Sequence, residues 1–399
     1  MHIAVFSQYH TNPDCPATSR HYSLLTHLAR RHRVTLITSR AWEGQRLTAS
    51  FPWLPEGVEM RAAGIAYGNQ MGVPRRLLAF GQYAAFALRE GMRIERPDVV
   101  WGISTPLTAA WAAAQVARRR RVPWVFEVQD LWPSFPIAMG AVPTAWARQR
   151  LYALEKGLYQ SAAHILPLSP DMTSYVAGLG IADSKITTVL NGTDLDLAAQ
   201  VTTGAVTQLR QEHGLDGKRI VLYAGTFGRA NDIPTLVKAA ELQTSSNPDT
   251  VWLFMGHGYF EPLIREAAAR TSGIRLVAPR PRHEVFRWFA LADVSVVSFL
   301  DLPVLDANSP AKLYDSLAMG TPVVVTNQGW TKKLVEENQC GWFVPAGQPE
   351  QLAYRLTEQL SDPLALLAAG KRGRQLAFNE FDRTQIAEVI EQVLLDVAQ

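Results

Sequence analysis

Cysteine is almost missing from this chain of 399 residues, which holds two, Cys15 and Cys340. Two thiols cannot build a disulfide framework, and neither stands in a metal-ligand spacing. No apolar run reaches the roughly 18 residues that a spanning helix needs. The opening MHIAVFSQYH has neither a basic leader nor a long apolar stretch, so it reads as a first strand and not as a signal peptide. The charge balance is close to neutral, 39 Lys and Arg against 36 Asp and Glu. A basic stripe interleaved with aromatics, the footprint of a nucleic-acid binder, is absent. These absences lead to the expectation of a cytosolic protein that binds no nucleic acid.

What is present is a globular composition, 47% hydrophobic and 19% charged. The length exceeds one comfortable core, so two domains are expected. Charge is unevenly spread. Residues 1–200 hold 20 Lys and Arg against 14 Asp and Glu, whereas residues 201–399 hold 19 against 22. Basic residues cluster at Arg30 to Arg33, Arg75-Arg76 and Arg118 to Arg121. A basic half suits an anionic partner such as a membrane surface or a phosphorylated acceptor. The plainer account of each cluster is a solvated helix end. The stretch AWARQRLYALEKGLY at 145–159 mixes aromatic and basic residues as an interfacial helix does, and as an ordinary amphipathic helix also can.

Strand-like runs recur with helical stretches between them: HIAVFSQ, VTLITS, DVVWGIS, WVFEVQ, HILPLS and ITTVLN. After residue 200 the rhythm resumes with IVLYAG, VWLFMG, IRLVAP, VSVVSF, PVVVT and GWFVP. Alternation of this kind predicts α/β architecture with parallel, doubly wound sheets. The boundaries read as an N-terminal domain over 1–198, a C-terminal domain over 199–382, and a helix over 383–399 returning to the first domain. Ligands of such sheets bind beyond the carboxyl ends of the strands.

Several loops at those ends carry candidate chemistry. In SPAKLYDSLAMGTPVVVT at 309–326, Ser309-Pro310 opens a helix whose first turns hold Lys312 and, one turn on, Asp315. Helical spacing sets Leu313 and Leu317 on one face and Asp315 off it. A helix N-terminus with a lysine and a carboxylate can hold an anion and a diol, the two things a nucleotide diphosphate-sugar offers. Ordinary capping and helix surface are the competing account. YAGTFGRAND at 223–232 follows a strand, with Gly225 and Gly228 allowing a tight turn and Arg229 adding a positive fork. In MGHGYFE at 255–261, Gly256 and Gly258 read as structural. In WVFEVQDLWPSFPIAMG at 124–140, the carboxylates Glu127 and Asp130 stand at or just beyond a buried strand, where charge is costly unless employed. The loop NPDCPATSR at 12–20 ends on Arg20, a cation at a helix start.

Taken in order along the whole chain, SPAKLYDSLAMGTPVVVT, YAGTFGRANDIPTL, ADVSVVSFL, VFEVQDLWP and VLNGTDLD resemble glycosyltransferase family 4. The closer resemblance is to the bacterial branch that builds O-antigens, capsules and exopolysaccharides. It implies the GT-B fold, two Rossmann-like domains facing across a cleft. It also implies donor binding by the second domain, acceptor binding by the first, and retaining transfer from a nucleotide-sugar with neither metal nor other cofactor. On the donor side it implies Gly225, Thr226, Arg229, Arg280, Ser309, Pro310, Ala311, Lys312, Leu313 and Asp315. Asp315 falls where the family's second glutamate grips the ribose, while the first glutamate's place is taken by Ala307. The family's basic pair falls on Thr226 and Asn231, which leaves Arg229 and Lys312 to supply charge to the diphosphate. Arg280 falls where the base is read. On the acceptor side the residues are Arg20, Glu127, Asp130 and Trp132, with Gln129-Asp130 where the family often has a histidine before the aspartate. Asp130, Arg229 and Lys312 are the expected catalytic set, with the two cations stabilising the leaving group.

The donor implied is UDP-linked, and the acceptor a glycan or polyprenyl-linked lipid met at the inner face of a membrane. Metal independence also fits the lack of an Asp-x-Asp pair at a strand end; Asp194 and Asp196 have the spacing but follow the Asn191-Gly192 turn. Two other readings stay open, a nucleotide-sugar epimerase or hydrolase on the same scaffold and a non-catalytic sugar-binding protein.

Overall fold

The computed structural model describes residues 1–68 and 71–399. Its contacts divide the chain into two compact units. Unit 1 comprises Met1–Asn191, Ala307–Ser309 and Arg383–Gln399, and unit 2 comprises Gly192–Asp306 and Pro310–Asp382.

Unit 1 contains β1 (His2–Tyr9), β2 (Arg33–Ser39), β3 (Val58–Ala63), β4 (Val99–Ile103), β5 (Trp124–Val128) and β6 (His164–Pro167). They form a parallel sheet in the order β3-β2-β1-β4-β5-β6. Unit 2 contains β7 (Arg219–Ala224), β8 (Thr250–Met255), β9 (Ile274–Val277), β10 (Val294–Val297), β11 (Val323–Val325) and β12 (Gly341–Phe343), ordered β12-β11-β10-β7-β8-β9. Both are the same doubly wound arrangement. The order reverses beside the first strand of each sheet, where such folds bind ligands.

The central strands are continuous apolar runs because helices cover both faces. Ile3, Val5, Phe6, Val100, Trp101 and Phe126 are fully or almost fully buried in unit 1, as are Val221, Tyr223, Trp252 and Phe254 in unit 2. Each such side chain contributes about 1.5–3 kcal/mol on leaving water. Two strand readings differ from the structure. VEMRAA, the half-buried edge strand β3, has no apolar run to announce it. ITTVLN carries the right residue types but makes only the single bridge Ile165 to Ile186.

The helix Arg383–Ala398 lies on the first helix of unit 1, Arg20–Ala29. Buried Glu391 accepts from His27 Nε2 and His32 Nε2, each at 2.8 Å. Burial works to raise the Glu391 carboxyl, but its two histidine hydrogen bonds and Arg31 outweigh that and hold it below its ordinary value. This contribution to stability is present above the ordinary glutamate range and is lost as pH falls through the depressed value.

A second buried carboxyl in unit 1 behaves in the opposite sense. Glu155, on the helix Ala145–Ser161, accepts from Tyr159 at 3.1 Å and from Tyr175 at 3.0 Å. Burial pushes it up to about 7, against the pull of the two tyrosines. Its folded value lies above its unfolded one, so the folded state loses stability as pH rises from the ordinary glutamate value to about 7, and the full penalty stands above that. Glu155→Gln keeps an acceptor without the charge. It is expected to leave the denaturation midpoint nearly unchanged at pH near 4 and to stabilise by up to about 3 kcal/mol above pH 8. A denaturant titration at the two pH values checks this.

Candidate active site

In unit 2 the turn after β7 and the helix Ala311–Ala318 bring one cation to a crowded point. Lys312 Nζ donates to the Tyr223 hydroxyl at 2.9 Å, and that hydroxyl donates to the Thr226 carbonyl at 2.8 Å. The ammonium also lies 4.1 Å from the Tyr223 ring centre and 5.8 Å from that of Phe299. Among the described residues no carboxylate is within ion-pair reach of it. It keeps some exposed surface, yet the protein around it pulls its pKa down to about 7 by desolvation. A cation set among neutral groups at a strand end is a place for an anion.

Gly225 is required there. A Cβ on it would sit 3.0 Å from Lys312 Nζ, and its φ is +150°. The turn after β8 presses from the other side, where a Cβ on Gly256 would come within 1.9 Å of the Gly225 carbonyl oxygen. Gly256 is structural, as its spacing suggested. Arg229 follows on a short turn, exposed, with its guanidinium 4.2 Å from the Tyr259 ring centre. Ala311 and Lys312 open their helix with amides that have no intrahelical partner. Arg280 stands beyond edge strand β9, 39% exposed, and meets Glu284 only at 3.9 Å.

Several expected donor contacts are corrected by the structure. Asp315 is buried and faces inward. Arg282 Nη2 donates to its Oδ1 at 2.6 Å and Arg282 Nη1 to its Oδ2 at 2.8 Å, and Thr193 Oγ1 adds a bond to Oδ1 at 2.7 Å. That leaves no pair of acceptors for a ribose diol. Arg282 also donates to Asp194 Oδ2 at 2.8 Å, so Asp194 is an ion-pair partner. Burial opposes the Arg282 charge, but Asp315 and Asp194 outweigh it and raise its pKa. The Leu313 amide is taken by the Pro310 carbonyl at 3.0 Å, and its side chain is fully buried. Ser309 groups with unit 1, where its carbonyl accepts from Asn191 Nδ2 at 2.9 Å.

Unit 1 collects its candidates around the ends of β4 and β5. Arg20 is 2% exposed and Glu127 fully buried. The Arg20 guanidinium donates to Glu127 Oε1 at 3.2 Å, and to the carbonyls of Leu190 and Asn191 at 2.7 and 2.9 Å. Burial alone would raise the Glu127 carboxyl; the charge of Arg20 and the contacts with His21 and Gln129 prevail and hold it at about 2. Both residues are therefore interior braces, a correction to their expected contact with acceptor. Asp130 remains partly open. Thr105 Oγ1 donates to its Oδ2 at 3.0 Å, and burial raises it to about 6 despite that bond. Trp132 packs edge-on to Phe80, with ring centres 5.8 Å apart.

The sequence reading missed Tyr223, Tyr259, Thr105 and His21. Tyr223 is a strand residue that reads as core, and it is also fully buried. His21 adjoins Arg20 in the sequence, so proximity to a strand-end loop was the one available signal.

Two six-stranded doubly wound units, with a cationic turn in the second, define a GT-B architecture. Residues 17–192 match the family described as glycosyl transferase 4-like domain, and residues 206–376 match glycosyl transferases group 1. The chain belongs to glycosyltransferase family 4. It is similar to spore coat protein SA of Bacillus subtilis, 26% identical over 222 residues, which is 52% of this chain and 58% of that one. It is also similar to the putative colanic acid biosynthesis glycosyl transferase WcaI of Escherichia coli, 23% identical over 272 residues and 66% of each chain. The chain spans about half the length of the curated relatives it matches. Among solved structures, HepE of Anabaena in complex with UDP superimposes with a TM-score of 0.70 at 15% identity, covering 99% of this chain and 100% of that one.

Proposed function

We propose that the protein is a retaining, metal-independent glycosyltransferase. It moves a sugar from a UDP-linked donor to a glycan or lipid-linked acceptor in cell-surface polysaccharide or glycolipid synthesis. The observation that carries this reading is Lys312, a cation pulled down to about 7 among neutral groups at the end of the unit 2 sheet. A nucleotide diphosphate supplies the missing counter-charge. Lys312, the opening amides of its helix and Arg229 then take up charge on the diphosphate as the anomeric bond loosens. The UDP in the HepE complex supports the choice of nucleotide. The commitment of Asp194 to Arg282 supports metal independence, because it removes one half of the one Asp-x-Asp spacing in the sequence. In unit 1, Asp130 and Trp132 are left as acceptor-side contacts. The exposed Leu77, Leu78 and Trp146, beside Arg75, Arg76 and Arg150, support work at an anionic membrane surface.

The test is release of UDP from UDP-sugars, run with and without a polyprenyl-phosphate-linked acceptor in anionic vesicles, and with and without chelator. Acceptor-dependent release that chelator leaves intact, with the donor's anomeric configuration in the product, is the expected result. Equal release without acceptor makes the protein a hydrolase or epimerase. Failure to turn over any nucleotide-sugar makes it a binding protein, and a metal requirement removes the proposed leaving-group mechanism.

A further inference from the structure

The buried pair of Arg20 and Glu127 holds a third group in place, an imidazole. His21 is the second residue of the helix Arg20–Ala29 and is 12% exposed. Its Nε2 lies 2.9 Å from Gln129 Nε2 and 3.4 Å from Glu127 Oε1, and Gln129 Nε2 lies 2.9 Å from that same oxygen. The protons follow from this geometry. Glu127, at about 2, is ionised and can only accept. The Gln129 amide nitrogen has two hydrogens, so one goes to Glu127 Oε1 and the other to His21 Nε2. Nε2 is then an acceptor, and the proton of the neutral ring is assigned to Nδ1.

Among the described residues no protein acceptor meets His21 Nδ1. Unlike Nδ1 of His10, His27 and His32, it is not sealed from solvent. The ring rests edge-on to Trp101, with centres 6.3 Å apart, which fixes its plane. A braced ring with one outward N–H, at the carboxyl end of the unit 1 sheet, is an oriented hydrogen-bond donor.

Resting on the glycosyltransferase reading above, we propose that His21 is a catalytic residue whose Nδ1–H donates to a hydroxyl oxygen of a pyranose in the transfer site, with Gln129 as its positioning residue. The pyranose is the transferred sugar or the acceptor sugar, and kinetics distinguish the two. No proton moves to or from the ring in this role.

The experiment compares wild type, His21→Phe and His21→Gln, measuring UDP affinity, acceptor-free UDP-sugar cleavage and transfer. Phenylalanine keeps a ring against Trp101 and removes the donor; glutamine keeps a donor on a flexible arm. His21→Phe is expected to lose about 10- to 100-fold in kcat/KM, the cost of leaving a buried polar partner unmet. His21→Gln is expected to recover most of that, and all three proteins to bind UDP equally. A loss shared by cleavage and transfer assigns the contact to the donor sugar; a loss confined to the acceptor KM assigns it to the acceptor. Turnover of His21→Phe within about twofold of wild type, or of His21→Gln no better than His21→Phe, overturns the proposal. Wild type that binds UDP but transfers no sugar overturns the glycosyltransferase reading and this inference with it.

Discussion

Lys312→Ala is expected to lower kcat by about 10²–10³-fold while weakening UDP binding less, because a preorganised charge acts most where charge develops. The same variant is expected to be no less stable than wild type. Lys312 has a folded pKa of about 7, below its ordinary value. A lysine depressed in this way destabilises the fold where it must be charged, below about pH 7, and the penalty fades as pH rises toward the unfolded value. Alanine, a good helix former, removes the penalty altogether. A variant that loses turnover and keeps or gains thermal stability is the signature of a residue held for function. Lys312→Arg should recover only part, since a planar fork does not replace a compact ammonium against Tyr223 and beside Gly225. Steady-state kinetics with UDP-sugar and a thermal melt decide the matter. Near-wild-type turnover of Lys312→Ala would pass the charge burden to Arg229.

Arg282→Met is expected to have the largest effect on stability, about 3–5 kcal/mol, because it strands two buried carboxylates. Arg282, Asp315 and Asp194 are each less than a tenth exposed, with contacts of 2.6–2.8 Å. Removing one partner leaves the others charged without compensation. Adding Asp315→Leu to Arg282→Met is expected to restore part of the loss, since replacing both partners by apolar groups costs less than breaking the pair. Denaturant midpoints of the single and double variants measure this. A double variant less stable than Arg282→Met would show that Asp315 has a stabilising role apart from Arg282.

The alternation of strands and helices was readable along the chain, because parallel strands covered on both faces must be apolar without interruption, as PVVVT and IVLYAG are. Lys312 and Gly225 were readable for a related reason: each stands just beyond such a strand or at the helix start before it. Asp315 was not. Helical spacing set it away from the Leu313 and Leu317 face, but Arg282, 33 residues earlier, folds over it and makes its surroundings interior. Arg20 failed in the same way. It reads as a surface cation, yet its partners lie 107 to 171 positions away, at Glu127, Leu190 and Asn191. Ion pairs between distant segments leave no periodic trace, so local reasoning assigns their members to solvent or to ligand.

The central claim is that a nucleotide diphosphate supplies the counter-charge of Lys312. Calorimetric titration of UDP at about pH 8, in two buffers of different ionisation enthalpy, tests it most directly. With a folded pKa of about 7, Lys312 is mostly neutral at that pH before binding. Bound diphosphate raises the value and draws in a proton, so wild type is expected to take up close to one proton more than Lys312→Met, which should bind UDP more weakly. Equal proton counts and equal affinities in the two proteins would contradict the account.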